Sequence, residues 1–178
     1  MISNSRSSFH PWLAAVAALA IVGIAAVAGA FTFIYSGIYD VSAVSGHNPL
    51  VAWVLHKTYE QSLHHHARDI AVPPDLMTEA NVEAGARIYQ STCAQCHGAP
   101  GAPLSAVGQG ILPLAPQLLG ASRRNNPRLM YWVIKNGVKM TAMPAFGKTQ
   151  DDKTIWELAA FLYKSRGIDG GKYAALTH

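Results

Sequence analysis

The sequence predicts an all-α chain in three parts: an N-terminal membrane-spanning helix, a helical connector and a helical domain. Three observations predict this class. Residues 11–39 contain no charged side chain, later apolar residues recur at helical spacing, and proline- and glycine-rich loops rather than alternating strand patterns separate them. We place the tip and anchor in residues 1–36, the connector in residues 37–77 and the domain in residues 78–178.

The anchor is the apolar run of residues 12–35. Its 24 residues exceed the roughly 20 that a helix needs to cross a bilayer. Trp12 at one end and Tyr35 at the other resemble the aromatic anchors of a membrane span. A cleaved signal peptide is the alternative, because Ala28-Gly29-Ala30 has the small residues of a cleavage site. The run is longer than the apolar core of a signal peptide, which favours a retained anchor.

The charges that flank the span predict its orientation. Arg6 precedes the span, and no Lys or Arg follows it until Lys57. Since positive residues stay in the cytoplasm, the N-terminus is expected inside. The connector and domain are then expected in the periplasm, attached to the inner membrane of a bacterium.

The connector is predicted to contain one helix and is rich in histidine. Asn48-Pro49 is a good start for a helix reaching about Ala67, with apolar residues near one face. Consecutive histidines at 64–66 point about 100° apart on a helix and cannot chelate one ion together, so a metal site is the weaker alternative. We expect the apolar side of the helix to pack on the domain or on a neighbouring membrane subunit.

The domain is predicted to contain three helices. The first begins after Thr78 as N-cap. The second runs from Asn126-Pro127 through Trp132 to Asn136-Gly137. The third begins at Thr149 and ends at Gly167, with Asp152 in a capping-box-like position. Its apolar face consists of Ile155, Leu158, Ala159 and Leu162.

A long segment, residues 98–122, separates the first two of these helices. It contains four prolines and five glycines, a composition that excludes a regular helix or a central strand. Loops of this length in a compact domain are usually functional. We expect it to wrap one side of a cofactor.

The domain contains the run Cys93-Ala94-Gln95-Cys96-His97, the C-x-x-C-H signature of haem c attachment. Two thiols three positions apart on one helical turn can bond the two vinyl groups of a haem, and the adjacent imidazole can bind the iron. No strand–helix pattern supports a redox C-x-x-C, and no second cysteine pair supports a zinc site. The sequence therefore predicts one covalent haem c.

Four motifs, in a region of about residues 78–165, together resemble a class I c-type cytochrome. They are Gly85-x-x-x-Tyr89, Cys93-x-x-Cys96-His97-Gly98, Met143-Pro144-Ala145-Phe146-Gly147 and Ile155-Trp156-x-Leu158-x-x-Phe161-Leu162. The resemblance implies the class I cytochrome c fold, in which the first and last helices cross, with Gly85 and Tyr89 near Ala159–Leu162. It also implies Met143 as the distal iron ligand and the Pro116 carbonyl as acceptor for His97, with Pro113 as a second candidate. Tyr89 and Trp132 are expected among the residues that bind the cofactor.

Met140 competes with Met143 as distal ligand because the two lie three residues apart. Pro144 would stiffen the backbone beside Met143, which favours that residue. His97 and Met143 together would leave no open position at the iron, an arrangement that suits electron transfer rather than oxygen or peroxide chemistry. We therefore expect an electron carrier of a respiratory chain and not an enzyme. The alternatives are a fixed subunit of a larger membrane oxidoreductase complex and, less favoured, a haem sensor or peroxidase.

Charge placement predicts the kind of partner. No acidic residue lies between Ala84 and Gln150, an interval that contains seven basic ones. Without counter-charges they would form a positive face that steers a redox partner with an acidic docking surface. Nucleic acid is excluded by the compartment, and anionic lipid headgroups are a possible secondary contact. The basic residues are Arg87, Arg123, Arg124, Arg128, Lys135, Lys139 and Lys148.

Overall fold

The computed structural model describes residues 11–178, whose contacts divide the chain into two units between Ser42 and Ala43. All regular elements of these residues are helical, and no strand occurs among them. The predicted all-α class is therefore confirmed. Residues 1–10, which include Arg6, lie outside the described residues.

The first unit contains helix α1, Pro11–Ser36, of 26 residues. Its side chains are exposed along its whole length, and its mean hydropathy reaches 2.5. It is the one helix among the described residues that is long and apolar enough to cross a membrane, a test that a signal sequence also passes. Its length of about 39 Å suffices for a span with some tilt.

The second unit contains seven α-helices, a π-helical turn at Tyr89–Cys93 and a 3₁₀ turn at Phe146–Lys148. The short helices α4 and α5 lie on either side of the first part of the long loop. The helices are α2 Pro49–Ala67, α3 Glu79–Ile88, α4 Ala94–His97, α5 Ala106–Gly110, α6 Pro127–Asn136, α7 Asp152–Lys164 and α8 Gly170–Thr177.

Helices α3 and α7 cross at Gly85, as the resemblance implied. A Cβ on Gly85 would lie 2.1 Å from the carbonyl oxygen of Glu157 and 2.8 Å from Cβ of Phe161, so only glycine permits this approach. Tyr89, one turn later, packs its ring 5.4 Å from the Phe161 ring. The predicted apolar face of α7 is buried throughout, with exposed fractions of 0–2 %.

The predicted N-caps of α3 and α6 are confirmed. Thr78 Oγ1 accepts from the Asn81 N–H, and the Asn126 side chain accepts from the Arg128 N–H. The predicted start of the last domain helix at Thr149 is wrong. Asp151 is the N-cap of α7 and accepts from the Thr154 N–H at 2.8 Å.

Three further expectations are corrected by the observed elements. Helix α7 ends at Lys164, with Ser165 as C-cap, and not at Gly167. The long loop does contain one helical turn, α5, because Ser105 caps it and accepts from the Gly108 N–H. Helix α8, capped by Asp169, was not predicted, and it buries Tyr173 against the core.

Helix α2 has the predicted bounds but packs only through its C-terminal half. Leu63 and Ala67 are buried, and the His66 ring stacks on Trp132 of α6 at 5.6 Å. Arg128 Nη1 also donates to the Arg68 carbonyl at 2.7 Å. The apolar residues of the first two turns are exposed, so the expected packing on the domain is observed only in the C-terminal half of α2.

Candidate haem site

The C-x-x-C-H segment follows α3 without a break in the helical backbone. A π-helical turn, Tyr89–Cys93, leads into α4, which contains Cys96 and His97. Single π turns within helices are frequent at functional sites because they re-aim the side chains. Gly98, with φ +79°, ends the segment, and its N–H donates to the Ala94 carbonyl. Both thiols and the imidazole thus come from one short, continuous stretch of backbone.

The two cysteines are free and half-buried. Burial, with a smaller contribution from Cys96, raises the pKa of the Cys93 thiol to about 12. Reactive redox cysteines have lowered pKa values and an electropositive setting. The environment of Cys93 therefore argues against a thiol–disulfide centre, as the sequence predicted.

His97 is held through one ring nitrogen. Its Nδ1 lies 2.8 Å from the carbonyl oxygen of Pro116, so Nδ1–H donates and the Nε2 lone pair is left for a metal. Burial lowers the pKa of His97 and the nearby Arg123 lowers it further, against the opposing effect of the Pro116 bond. Neutral imidazole is the metal-binding form. Of the two prolines considered, Pro116 supplies the acceptor.

Asn125 ties the loop that contains Pro116 to helix α7. Its Nδ2 donates to the carbonyls of Leu118 at 2.7 Å and Leu162 at 2.8 Å. Asn125 is only 4 % exposed and has φ +40°, and its buried Oδ1 has no hydrogen-bond partner among the described residues. The Gly167 N–H also donates to the Leu119 carbonyl at 2.8 Å. The acceptor of His97 is thus fixed to the end of α7.

Tyr89 reaches the site through Gly98. The ring is fully buried between Phe161 and Tyr173, and its hydroxyl donates to the Gly98 carbonyl at 2.6 Å. Burial raises the pKa of Tyr89 well above its usual value, so the hydroxyl stays a donor at all physiological pH values. Cofactor contacts of Tyr89 and of Trp132, whose ring lies on His66, stay predictions.

The two candidate distal methionines have opposite environments. Met143 is half-buried and packs against the core, whereas Met140 is 92 % exposed in a left-handed turn with φ +58°. Met140 is therefore neither a packing residue nor directed inward. The geometry favours Met143 as the ligand, as the sequence did.

The backbone of Met143 is fixed on both sides. Its N–H donates to Thr141 Oγ1 at 3.1 Å, and its carbonyl accepts from the Val138 N–H at 3.1 Å. A Cβ at Gly137, which has φ +67°, would lie 2.7–2.8 Å from the backbone of Met143, Pro144 and Ala145. Gly137 therefore ends α6 and also allows the Met143-Pro144 segment of the loop to pass close to its backbone.

The predicted basic face is smaller than its sequence suggested. Lys135 pairs with Asp152 of α7 at 2.6 Å, and this hydrogen bond holds the pKa of the carboxyl below its usual value. Arg128 is used in the contact with α2. Lys139 and Lys148 are exposed, and no carboxylate among the described residues pairs with them. The expectation that all seven cations lack a counter-charge is therefore wrong for Lys135.

Comparison with known proteins agrees with this geometry. Residues 80–162 match the family model described as cytochrome c oxidase, cbb3-type, subunit III. These residues are a cytochrome c domain. A cytochrome c domain implies covalent haem c and an electron-carrier role rather than catalysis. The two cysteines of the chain, both in the C-x-x-C-H motif, are consistent with that attachment.

A solved structure also resembles the chain in part. It is a chain of the reducing HAO-like protein complex of Kuenenia stuttgartiensis, 25 % identical, with a TM-score of 0.43. The match covers 52 % of this chain and 47 % of that chain, so this chain spans about half the length of its neighbour. No curated protein matches the chain.

The donors of the cytochrome domain fit a covalent haem. Two half-buried thiols lie in one helical stretch with an imidazole whose Nδ1 is already occupied by a carbonyl. A thioether is directed inward from a separate loop. Among the contributing residues, Asn125 and Thr141 were missed by sequence reasoning, because hydrogen bonds to backbone atoms leave no spacing motif. Gly137 was recognised only as a helix stop.

Proposed function

We propose that this chain is a membrane-tethered cytochrome c that passes single electrons between redox partners of a respiratory chain. The observation that supports this proposal most is the hydrogen bond from Nδ1 of His97, the last residue of the C-x-x-C-H motif, to the Pro116 carbonyl. That bond leaves Nε2 available to bind an iron, in a domain that matches a cytochrome c family model. When bound, the haem supplies the ferric–ferrous couple.

In this proposal four side chains hold the cofactor. Cys93 and Cys96 would supply the thioether attachments, and His97 and Met143 would supply the two protein ligands of the iron. With both ligands bound, the iron would have no open position, which disfavours oxygen and peroxide chemistry. Pro116 holds the imidazole, and the Gly137–Met143 loop holds the thioether, so neither ligand needs to move when an electron arrives.

We place the anchor in residues 1–36, the connector in residues 37–77 and the cytochrome domain in residues 78–178. The charge asymmetry around α1 supports a cytoplasmic N-terminus. The cytochrome domain then lies in the periplasm of a bacterium, tethered to the inner membrane.

The docking face for an acidic partner is proposed around Lys139 and Lys148. Lys139 lies four residues before Met143 and Lys148 five residues after it, so both flank the distal loop. Exposed charges attract a partner over about 8 Å at physiological salt. Attraction of this kind raises the encounter rate and falls as salt rises.

The test is the rate of reduction by a soluble acidic redox protein, measured by stopped flow. Raising salt from low to moderate levels should slow it by about tenfold, and Lys139→Glu should slow it at low salt with an unchanged visible spectrum. The control is Lys172→Glu, because Lys172 is exposed on α8 and pairs with Asp169 at 3.7 Å. A rate indifferent to salt and to Lys139→Glu would contradict steering.

A permanently assembled subunit is the second candidate. It is favoured by the description of the matching family, which is an oxidase subunit. Mild detergent extraction separates the two proposals. One haem-containing species near 19 kDa supports a free carrier, whereas a complex of fixed stoichiometry supports the subunit.

A further inference from the structure

The N-terminal end of α2 is apolar around its whole circumference, and its side chains are exposed. Residues 49–55 read Pro-Leu-Val-Ala-Trp-Val-Leu without a polar side chain. At 100° per residue they cover the whole circumference of the helix. The five large side chains, Leu50, Val51, Trp53, Val54 and Leu55, are 43–67 % exposed.

The polarity of α2 changes along its axis rather than around it. Beyond the apolar end come His56 and Lys57, which both pair with Glu60, at 3.2 Å and 2.7 Å. The C-terminal half then packs on the cytochrome domain through Leu63 and Ala67. One end of α2 is therefore docked on protein, and the other projects an apolar tip of about 10 Å.

The chain that joins this tip to α1 is short and almost uncharged. Only 12 residues, 37–48, separate α1 from α2, and they reach at most about 43 Å when fully extended. Between Pro11 and Lys57 the one charged residue is Asp40. Ile38, Val41 and Val44 in the tether are themselves at least 80 % exposed.

We infer that residues 49–55 insert into the interface of the lipid bilayer. A protein groove would cover one stripe of a helix and leave the other sides in water, whereas lipid surrounds it. The tip length of about 10 Å matches the depth at which interfacial helices bury their apolar side chains. Trp53 is of the residue type that prefers this depth, and the His56–Lys57–Glu60 group falls at the headgroups.

The inference rests on the membrane tether of the proposed function and gives the connector a purpose. Helix α2 becomes a strut with one end in the bilayer and the other on α6. The cytochrome domain then stays within one helix length of the membrane surface, where membrane-bound redox partners lie.

The experiment uses the full haem-loaded chain in phosphatidylethanolamine–phosphatidylglycerol vesicles with doxyl-labelled lipids. Tryptophan fluorescence of the Trp12→Phe variant is compared with that of Trp12→Phe/Trp53→Phe, so that the difference reports Trp53. Labels near the headgroup should quench this difference signal about twofold more than labels near the chain ends.

The matched variants carry equal charge changes at the two ends of α2. In the Trp12→Phe background, Leu50→Glu/Val54→Glu should abolish lipid quenching of Trp53. Gln61→Glu/His64→Glu, at exposed positions of the polar half, should leave it unchanged. The visible spectrum of each variant verifies that the cytochrome domain is folded.

Three outcomes would overturn the inference. If labelled lipids do not quench Trp53 fluorescence in reconstituted vesicles, the inference is contradicted, while the membrane tether is unaffected. The same result combined with protection of α2 in native membranes assigns the tip to a protein partner. Failure of the chain to enter vesicles contradicts the tether, and with it both the proposed function and the inference.

Discussion

The two sides of the haem site are held by different kinds of contact. On the His97 side, the imidazole itself is bonded to Pro116, and Asn125 links that loop to Leu162, 37 residues away. On the Met143 side, the hydrogen bonds join only backbone and side chains within residues 138–143. The first side is therefore part of the tertiary structure, and the second is a self-contained loop. Damage to the first should mainly cost stability, whereas damage to the second should mainly change ligation.

The largest expected effect is on attachment. Cys93→Ala/Cys96→Ala removes both thiols, so haem should no longer stay with the denatured polypeptide on a gel. A peroxidase-type stain measures this. Met143→Ala is the control and should retain the stain fully, because attachment depends on the His97 side alone. Haem that extracts into acid–acetone from the unmodified protein would contradict covalent attachment.

Asn125→Ala should give the next largest effect. It leaves the carbonyls of Leu118 and Leu162 without their donor and places alanine at φ +40°. We expect a loss of about 2–4 kcal/mol in the free energy of unfolding, measured by urea titration. Asn136→Ala is the matched control: this exposed amide bonds only the Trp132 carbonyl of its own helix, so the loss should stay below about 0.5 kcal/mol. Equal losses of unfolding free energy in the two variants would contradict a role of Asn125 in holding the His97 side to the rest of the domain.

Gly137→Ala should act on ligation with a smaller cost in stability. The new Cβ would meet the backbone of Met143, Pro144 and Ala145, and the positive φ disfavours alanine. The loop should shift, the far-red sulfur-to-iron band should weaken, and stability should fall by about 1–3 kcal/mol. Gly110→Ala is the control, because a Cβ there meets nothing within 4 Å. A variant with the native band would show that the loop does not depend on Gly137.

The sequence predicts those parts of the fold that depend on local chemistry. Thr78 and Asn126 cap helices because their side chains reach the next turn. The helix crossing at Gly85, where only glycine fits, was instead implied by the resemblance to class I cytochromes c. The sequence does not distinguish Thr149 from Asp151 as a cap, since both types can accept the same bonds. The observed choice depends on the 3₁₀ turn at Phe146–Lys148, which ends with the Thr149 N–H bonded to the Phe146 carbonyl.

The residues of the site also divide into those that the sequence predicts and those that it does not. The thiols and His97 follow from a fixed spacing, whereas Met143 is a prediction that the class I resemblance implies and that its proline neighbour favours over Met140. Asn125 could not be predicted, because its partners are backbone carbonyls distant in sequence. The pairing of Lys135 was missed for a similar reason: Asp152 lies outside the acid-free interval and reaches it only through the packing of α6 on α7.

The spectrum of the oxidised protein in the far red, together with carbon monoxide binding by the reduced protein, tests the account most directly. With His97 and Met143 as ligands, the native protein should show the weak sulfur-to-iron band and bind carbon monoxide poorly. Met143→Ala should remove the band and admit carbon monoxide, whereas Met140→Ala should change neither, because Met140 is exposed. Loss of the band in Met140→Ala, or ready carbon monoxide binding by the native protein, would contradict the account.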